Sequence, residues 1–249
     1  MRIAMCLDFI SSTQIGSTYR FQEAEDLLPW NIQETVIYFY LRSKVHTAIF
    51  VVGPPGVGKT TTVREILGNE FENFTHPETS KVKWCFQKSG PWVFAGHYGV
   101  GSFDGADTVP NDGWIPCMEY WEREILPNPQ YKYTLFDGDR FSHGNCQKFL
   151  EDRGVRVICA HLNANQEVLS ARRKERGSDQ NPTWLQGRVS KARNFADRFL
   201  PPETGLFDMF GGSETEENPE ENRLLEIILE GTTPTQAASQ ILNFVRQTS

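Results

Sequence analysis

Gly53-Pro54-Pro55-Gly56-Val57-Gly58-Lys59-Thr60 carries the spacing G-x-x-x-x-G-K-T without interruption. Glycines at these positions let the backbone curl so that successive N–H groups face inward, and a helix N-terminus at the loop's end adds its positive dipole. That combination cradles a polyphosphate. Lys59 then reaches the β- and γ-phosphates, the Thr60 hydroxyl becomes a magnesium ligand, and Thr61 follows in the same binding segment. The context agrees, because a short β-branched run, Thr47 to Val52, enters the loop and a helix from Gly58 to Glu70 leaves it.

A second chemical cluster is Asp137-Gly138-Asp139-Arg140, delivered by the apolar run that ends at Phe136. At the C-terminal end of a parallel strand it faces the ligand crevice of an open sheet. Asp137 and Asp139 are candidates for holding magnesium or accepting an acceptor's proton, and Arg140 for neutralising phosphate oxygens. Asp-Gly is also ordinary turn chemistry, but a turn needs neither the second aspartate nor the arginine. Which aspartate does which job stays open.

From Arg172 to Arg198 eight basic residues stand against three acidic ones, a local +5 in a chain whose net charge is −7. Such a segment suits a lid over a triphosphate or a track for a nucleic-acid backbone. Arg172 and Arg176 are one helical turn apart and can share an anion. Trp184 is a candidate stacking surface and Arg188 a phosphate contact. The glycine-rich stretch His97 to Thr108 can wrap an acceptor, with Asp104 or Asp107 as base and Tyr98 or Phe103 stacking on it; the bland alternative is a flexible connection.

The elements that must position these groups alternate along the chain. Strands are expected at Thr47–Val52, Val82–Phe86, Trp92–Ala95, Tyr131–Phe136, Val155–Leu162 and Leu224–Leu229. Helices are expected near Asn31–Lys44, Ile115–Glu124, Gln147–Arg153, Gln166–Arg176, Arg188–Phe199 and Thr233–Val245. Alternation of this kind implies a three-layer α/β fold with a parallel central sheet and a basic helical lid. Residues 1–46 read as a helical N-terminal extension. Residues 47–249 read as the P-loop domain, with a lid at about 171–200 and an acidic loop at about 203–222.

The 249 residues include 39% apolar and 12% aromatic side chains, enough for a real core. Five widely spaced cysteines suggest neither a disulfide framework nor a zinc cluster. No apolar run approaches the roughly 20 residues of a membrane span, and Met1–Ile10 makes a poor signal peptide. A soluble, cytoplasmic protein is expected. An N-K-x-D tetrapeptide for guanine is absent, which disfavours a GTPase.

Asp139-Arg140-Phe141, about eighty residues after Lys59, resembles the Asp-Arg-aromatic motif of the thymidylate kinase family. Leu162-Asn163-Ala164-Asn165-Gln166-Glu167, followed by Arg172, Arg173 and Arg176, is similar to that family's strand-end and lid pattern. The chain departs from it at Asn163 and Gln166, where the family has Asp and Pro, and it lacks the Arg-Glu-Pro-Gly motif that holds a nucleoside monophosphate. With these departures it resembles most the phage 5-hydroxymethyluracil DNA kinases of the same superfamily. The resemblance implies an ATP- and Mg2+-dependent phosphotransferase whose acceptor hydroxyl lies on a modified base in DNA. Lys59, Asp137, Asp139, Arg140, Arg172 and Arg176 are then the catalytic set. A soluble nucleotide or small-molecule kinase, and a partnered P-loop ATPase, share the same donor-side motifs.

Overall fold

The computed structural model describes residues 46–74, 86–99, 104–175, 177–178, 180–200 and 223–248. The expected helix Asn31–Lys44, the acidic loop and most of the expected strand Val82–Phe86 lie outside these residues. In chain order the elements are β1 (Thr47–Val52), α1 (Lys59–Leu67), β2 (Glu72–Phe74), β3 (Phe86–Ser89), β4 (Trp92–Ala95), α2 (Trp114–Tyr120), β5 (Tyr133–Asp137), α3 (Gly144–Glu151), β6 (Arg156–Asn163), α4 (Gln166–Glu175), α5 (Pro182–Ala196), β7 (Leu224–Ile228) and α6 (Pro234–Gln247).

Seven strands form one sheet in the order β2-β3-β4-β5-β1-β6-β7. From β4 to β7 every pairing is parallel. β2 and β3 run antiparallel at one edge, so the fully parallel sheet expected from the sequence is extended by a meander. The cause is local. Only Gly90 and Pro91 separate Ser89 from its partner Trp92, and Gly90 takes φ 55°. Two residues can only reverse the chain, whereas a parallel neighbour needs a long crossover.

β1 is buried along its whole length and divides the core by its pleat. Ala48, Phe50 and Val52 face a cluster built from α2, α3 and α5; Ile49 and Val51 face one built from α1, α4 and α6. On the first face Phe50 stacks on Phe136 at 5.3 Å and meets Phe195 edge-on at 5.0 Å. Helices on both faces complete the three layers, a P-loop kinase-like α/β fold. The chain leaves β1 towards β4 and β5 on one side and returns to β6 on the other. β1 is therefore the topological switch point, and the crevice beyond its C-terminal end is the ligand position.

Helix starts follow capping chemistry. α5 begins at Pro182, earlier than the expected Arg188, because the Asn181 side chain accepts from the Thr183 and Trp184 amides and Pro182 occupies the first turn. α6 starts on a capping box between Thr233 and Gln236, as its Thr-Pro signal predicts. Among the described residues no helix is long and apolar enough to cross a membrane.

A buried polar relay ties the start of β1 to β5. Trp121 Nε1 donates to Thr134 Oγ1 at 2.8 Å, and that oxygen lies 2.7 Å from His46 Nε2. The threonine hydroxyl has one proton and two lone pairs, so it serves both the tryptophan and the histidine. Burial pushes the His46 pKa down to about 4. A depressed histidine pKa means that the unfolded chain binds the proton first, so stability is complete above about pH 6.5 and declines towards pH 4. The loss attributable to His46 is about 3 kcal/mol. Denaturant unfolding of wild type and His46→Leu across this range should show their stability difference shrinking by that amount on acidification.

Candidate active site

The phosphate loop lies at the switch point, beyond the end of β1. At Gly53 the backbone passes so close to β6 that an added Cβ would sit 2.2 Å from the Leu162 carbonyl oxygen, so only glycine fits. Lys59 folds over the loop and donates to the Gly53 and Pro54 carbonyls at 2.8 and 3.2 Å.

Two arginines of α4 grip the same loop from behind. Arg172 donates to the Val57 carbonyl at 2.8 Å and Arg173 to the Pro55 carbonyl at 3.4 Å. Because C=O and N–H point oppositely across a trans peptide plane, each contact aims the next amide, Gly58 or Gly56, away from the arginine. Arg172, expected to meet phosphate, here holds the loop backbone from outside. Arg176, its expected partner, lies outside the described residues. Beside the loop a cavity of about 250 Å3 is lined by Gly58, Thr61, Arg172, Leu229, Thr232 and Pro234. The last three come from the β7–α6 connection, and nothing local in the sequence marks them as neighbours of the loop.

Asp137 ends β5 at the same level and is only 3% exposed. It accepts from the Thr60 hydroxyl at 3.0 Å, the Tyr98 hydroxyl at 2.9 Å and the Ala106 amide at 2.7 Å. Burial raises its pKa above the ordinary carboxylate range, opposed by these hydrogen bonds and the Lys59 charge. The Thr60–Asp137 pair offers hard oxygen donors beside the phosphate loop, a set that fits magnesium. Gly105 packs directly on this carboxylate; a Cβ there would lie 2.8 Å from Asp137 Oδ2.

Of the glycine-rich stretch, residues 97–99 and 104–108 are described. Tyr98 is 1% exposed, with its amide on Gln87 at 2.8 Å and its hydroxyl on Asp137, so its ring cannot stack on an acceptor. Asp104 accepts from the Gly99 and Gly105 amides at 3.0 and 2.9 Å and pairs with Arg64 of α1, which makes it a pin for the turn rather than a base. Asp107 is exposed and stands 4.0 Å from Arg140. Phe103 lies outside the described residues.

Asp139 and Arg140 continue the crevice beyond Asp137, and Gly138 brings them against the phosphate loop: a Cβ on it would be 3.8 Å from Lys59 Cε. The lid helix α5 meets this corner. Arg188 pairs with Asp139 at 2.5 Å, and Lys191 donates to the Asp139 carbonyl at 3.2 Å. Arg188 also lies over the Trp184 ring at 4.9 Å, so the tryptophan expected to stack on an acceptor carries an arginine. Much of the lid's charge is matched within the protein, since Arg193 pairs with Asp197 at 2.7 Å and with Glu226. Arg140 Nε is buried without a hydrogen-bond partner, an orphan donor in the crevice.

Fold, loop and strand-end carboxylates together have the architecture of a P-loop kinase-like α/β fold. No family model matches the chain, and no curated protein sequence matches it. Among solved structures, the tunicamycin resistance protein of Deinococcus radiodurans is similar at 18% identity and a TM-score of 0.42, with 80% of this chain and 95% of that chain covered.

Proposed function

We propose that this chain is an ATP-dependent phosphotransferase that moves the γ-phosphoryl group to a hydroxyl, and that the acceptor is the 5-hydroxymethyl group of 5-hydroxymethyluracil in DNA. The observation that carries the phosphotransferase reading is the contiguity of two half-sites. The phosphate loop with Lys59 and Thr60 adjoins, across Gly138, a crevice that holds Asp139 and Arg140, whose Nε makes no hydrogen bond and lies 4.0 Å from Asp107.

Thr60 and Asp137 would hold a magnesium ion, which would neutralise charge on the triphosphate. Lys59 and the inward amides hold the donor phosphates, and Arg140 faces charge that develops on the transferring group. Asp139, beyond Asp137 in the same crevice, orients the attacking hydroxyl. As that oxygen bonds to the γ-phosphorus, the bond to ADP breaks and the hydroxyl proton passes to Asp139. The Arg188–Asp139 ion pair must loosen for this, so acceptor binding and lid position are coupled. Most of the rate enhancement comes from in-line alignment and electrostatics. The DNA acceptor is supported by the resemblance of the Asp139-Arg140-Phe141 and lid motifs, and by the missing monophosphate-binding motif.

Incubation with γ-labelled ATP and, separately, hydroxymethyluracil DNA, thymine DNA, free dTMP or no acceptor tests the reading. Label is expected on the modified DNA alone, and transfer should weaken with salt because phosphate contacts release counterions. Label on dTMP but not on DNA would replace it with a soluble nucleotide kinase. Label in inorganic phosphate only would leave an ATPase.

A further inference from the structure

The two oxygens of the Asp137 carboxylate are not equivalent. Oδ1 accepts from the Tyr98 hydroxyl at 2.9 Å and from the Ala106 amide at 2.7 Å, which fills its lone-pair positions. Among the described residues Oδ2 accepts from the Thr60 hydroxyl alone, at 3.0 Å, and keeps acceptor capacity beside the phosphate loop. The groups on Oδ1 are themselves pinned from two sides. Gln87, fully buried on β3, accepts from the Tyr98 amide at 2.8 Å and donates to the Tyr98 carbonyl at 3.3 Å and to the Asn73 side chain at 2.8 Å. On the other side, Asp104 gathers the Gly99 and Gly105 amides and pairs with Arg64 of α1, the helix that also carries Thr60. The Gly105 carbonyl takes the Thr108 hydroxyl at 2.7 Å, which closes the turn that presents the Ala106 amide. A Cβ on Gly105 would lie 2.8 and 2.9 Å from the two carboxylate oxygens, so this backbone is seated directly on the carboxylate.

We infer that the Tyr98 hydroxyl and the Ala106 amide form a clamp on Oδ1 that presents Oδ2, together with Thr60, as the cation-holding edge of the site. Tyr98 is then a positioning residue, which acts on the ion through Asp137 and touches neither ion nor nucleotide. The inference rests on the magnesium–nucleotide half of the phosphotransferase reading above. Three observations carry it. The clamp donors fall on one oxygen, so the carboxylate cannot turn about its Cβ–Cγ bond and exchange its oxygens without breaking both bonds. The clamp is rigid before any ligand arrives, because Tyr98 is buried and held at its backbone by Gln87 as well as at its hydroxyl. Outer partners of this kind orient a ligating oxygen and raise its affinity for metal. Finally, Arg64–Asp104 and Thr60–Asp137 tie the turn to α1 at two points, so clamp and threonine are fixed to one helix. The antiparallel meander thereby serves the site, since β3 supplies Gln87.

Calorimetric titration with ADP, with and without magnesium, reads the clamp without requiring turnover. The quantity of interest is the gain in ADP affinity that magnesium provides. Tyr98→Phe keeps the buried ring and removes only the hydroxyl; it should cut that gain about tenfold, the lower end of the range for a lost outer partner of a metal ligand. Affinity for ADP without magnesium should stay within about twofold of wild type, because Lys59 and the loop amides are untouched. In an Asp137→Asn background the same substitution should cause no further loss, since the carboxylate through which it acts is gone. Arg64→Ala, at an exposed position of α1, releases Asp104 and should cut the gain about twofold or more. A gain in Tyr98→Phe within about twofold of wild type, an equal loss of ADP affinity with and without magnesium, or a full further loss in the Asp137→Asn background would overturn the clamp. If Tyr98→Phe lost its fold, Arg64→Ala would decide alone, a reduced gain upholding the clamp and an unchanged one overturning it. Wild-type protein that shows this mutational pattern, yet transfers phosphate to no acceptor, would leave the clamp standing and overturn the phosphotransferase reading.

Discussion

Lys59→Ala should lower phosphoryl transfer about 10²- to 10³-fold in a protein that still folds. The Lys59 ammonium sits on the Gly53 and Pro54 carbonyls, at the mouth of the cradle and on the surface side of the core. Removing it leaves β1, Val57 and the helix start in place, so the thermal midpoint should move by no more than a few degrees. Turnover depends on it differently. A fixed cation against the β- and γ-phosphates works in a site where charge develops during transfer, and loss of one such group costs about 10²- to 10³-fold in kcat. Single-turnover assays with labelled ATP, alongside circular dichroism and thermal unfolding, read both quantities. Near-normal turnover in the folded variant would remove the nucleotide site from this loop.

The second large effect separates charge from shape at Asp137. Asp137→Asn can satisfy its neighbours: the amide oxygen accepts from Ala106 and Tyr98 as Oδ1 does now, while the amide nitrogen donates to a rotated Thr60 hydroxyl. The variant should therefore fold. It should also lose about 10²- to 10³-fold in kcat, because the carboxylate that complements Thr60 is gone. Asp137→Ala, by contrast, leaves the Ala106 amide unpaired and the buried Tyr98 hydroxyl with only the Ala95 carbonyl at 3.4 Å, and should cost about 2–5 kcal/mol of stability.

The pH dependence has a defined sign. Asp137 has a raised pKa, so the folded state holds the proton more tightly than the unfolded chain does. Its contribution favours folding at low pH and is lost as pH rises from the ordinary carboxylate value through the raised one. The asparagine side chain cannot titrate, so unfolding curves measured without nucleotide should show Asp137→Asn gaining on wild type across that window. Equal pH slopes for the two proteins would mean that the carboxylate is not held in a desolvated site.

The phosphate loop was legible because its chemistry is contiguous. Backbone curl, dipole and lysine all fall within Gly53 to Thr60, so composition and spacing describe the site without any long-range contact. The same holds for β1 and β4, whose observed ends, Thr47–Val52 and Trp92–Ala95, coincide with the expected ones. The start of α5 was written in Asn181-Pro182 but was outweighed by the apolar and basic period further on.

What no local pattern contains is which distant segments meet. Asp137, Tyr98 and Thr60 converge because β5 is inserted between β1 and β4, and sheet order is set by the packing of whole crossovers rather than by any one stretch. Tyr98 and Asp104 look in sequence like mobile ligands in a glycine-rich loop, and become struts, Tyr98 buried and Asp104 partly so, only once β3 and α1 supply Gln87 and Arg64. Arg172 reads as a phosphate ligand until the folded chain presents a nearer carbonyl on Val57. Residue type and spacing along the chain thus determined the donor half of the site, since its backbone geometry is local. Which side chains meet around Asp137 and Asp139 was decided by tertiary structure, because burial and partner choice depend on which surfaces the fold brings together.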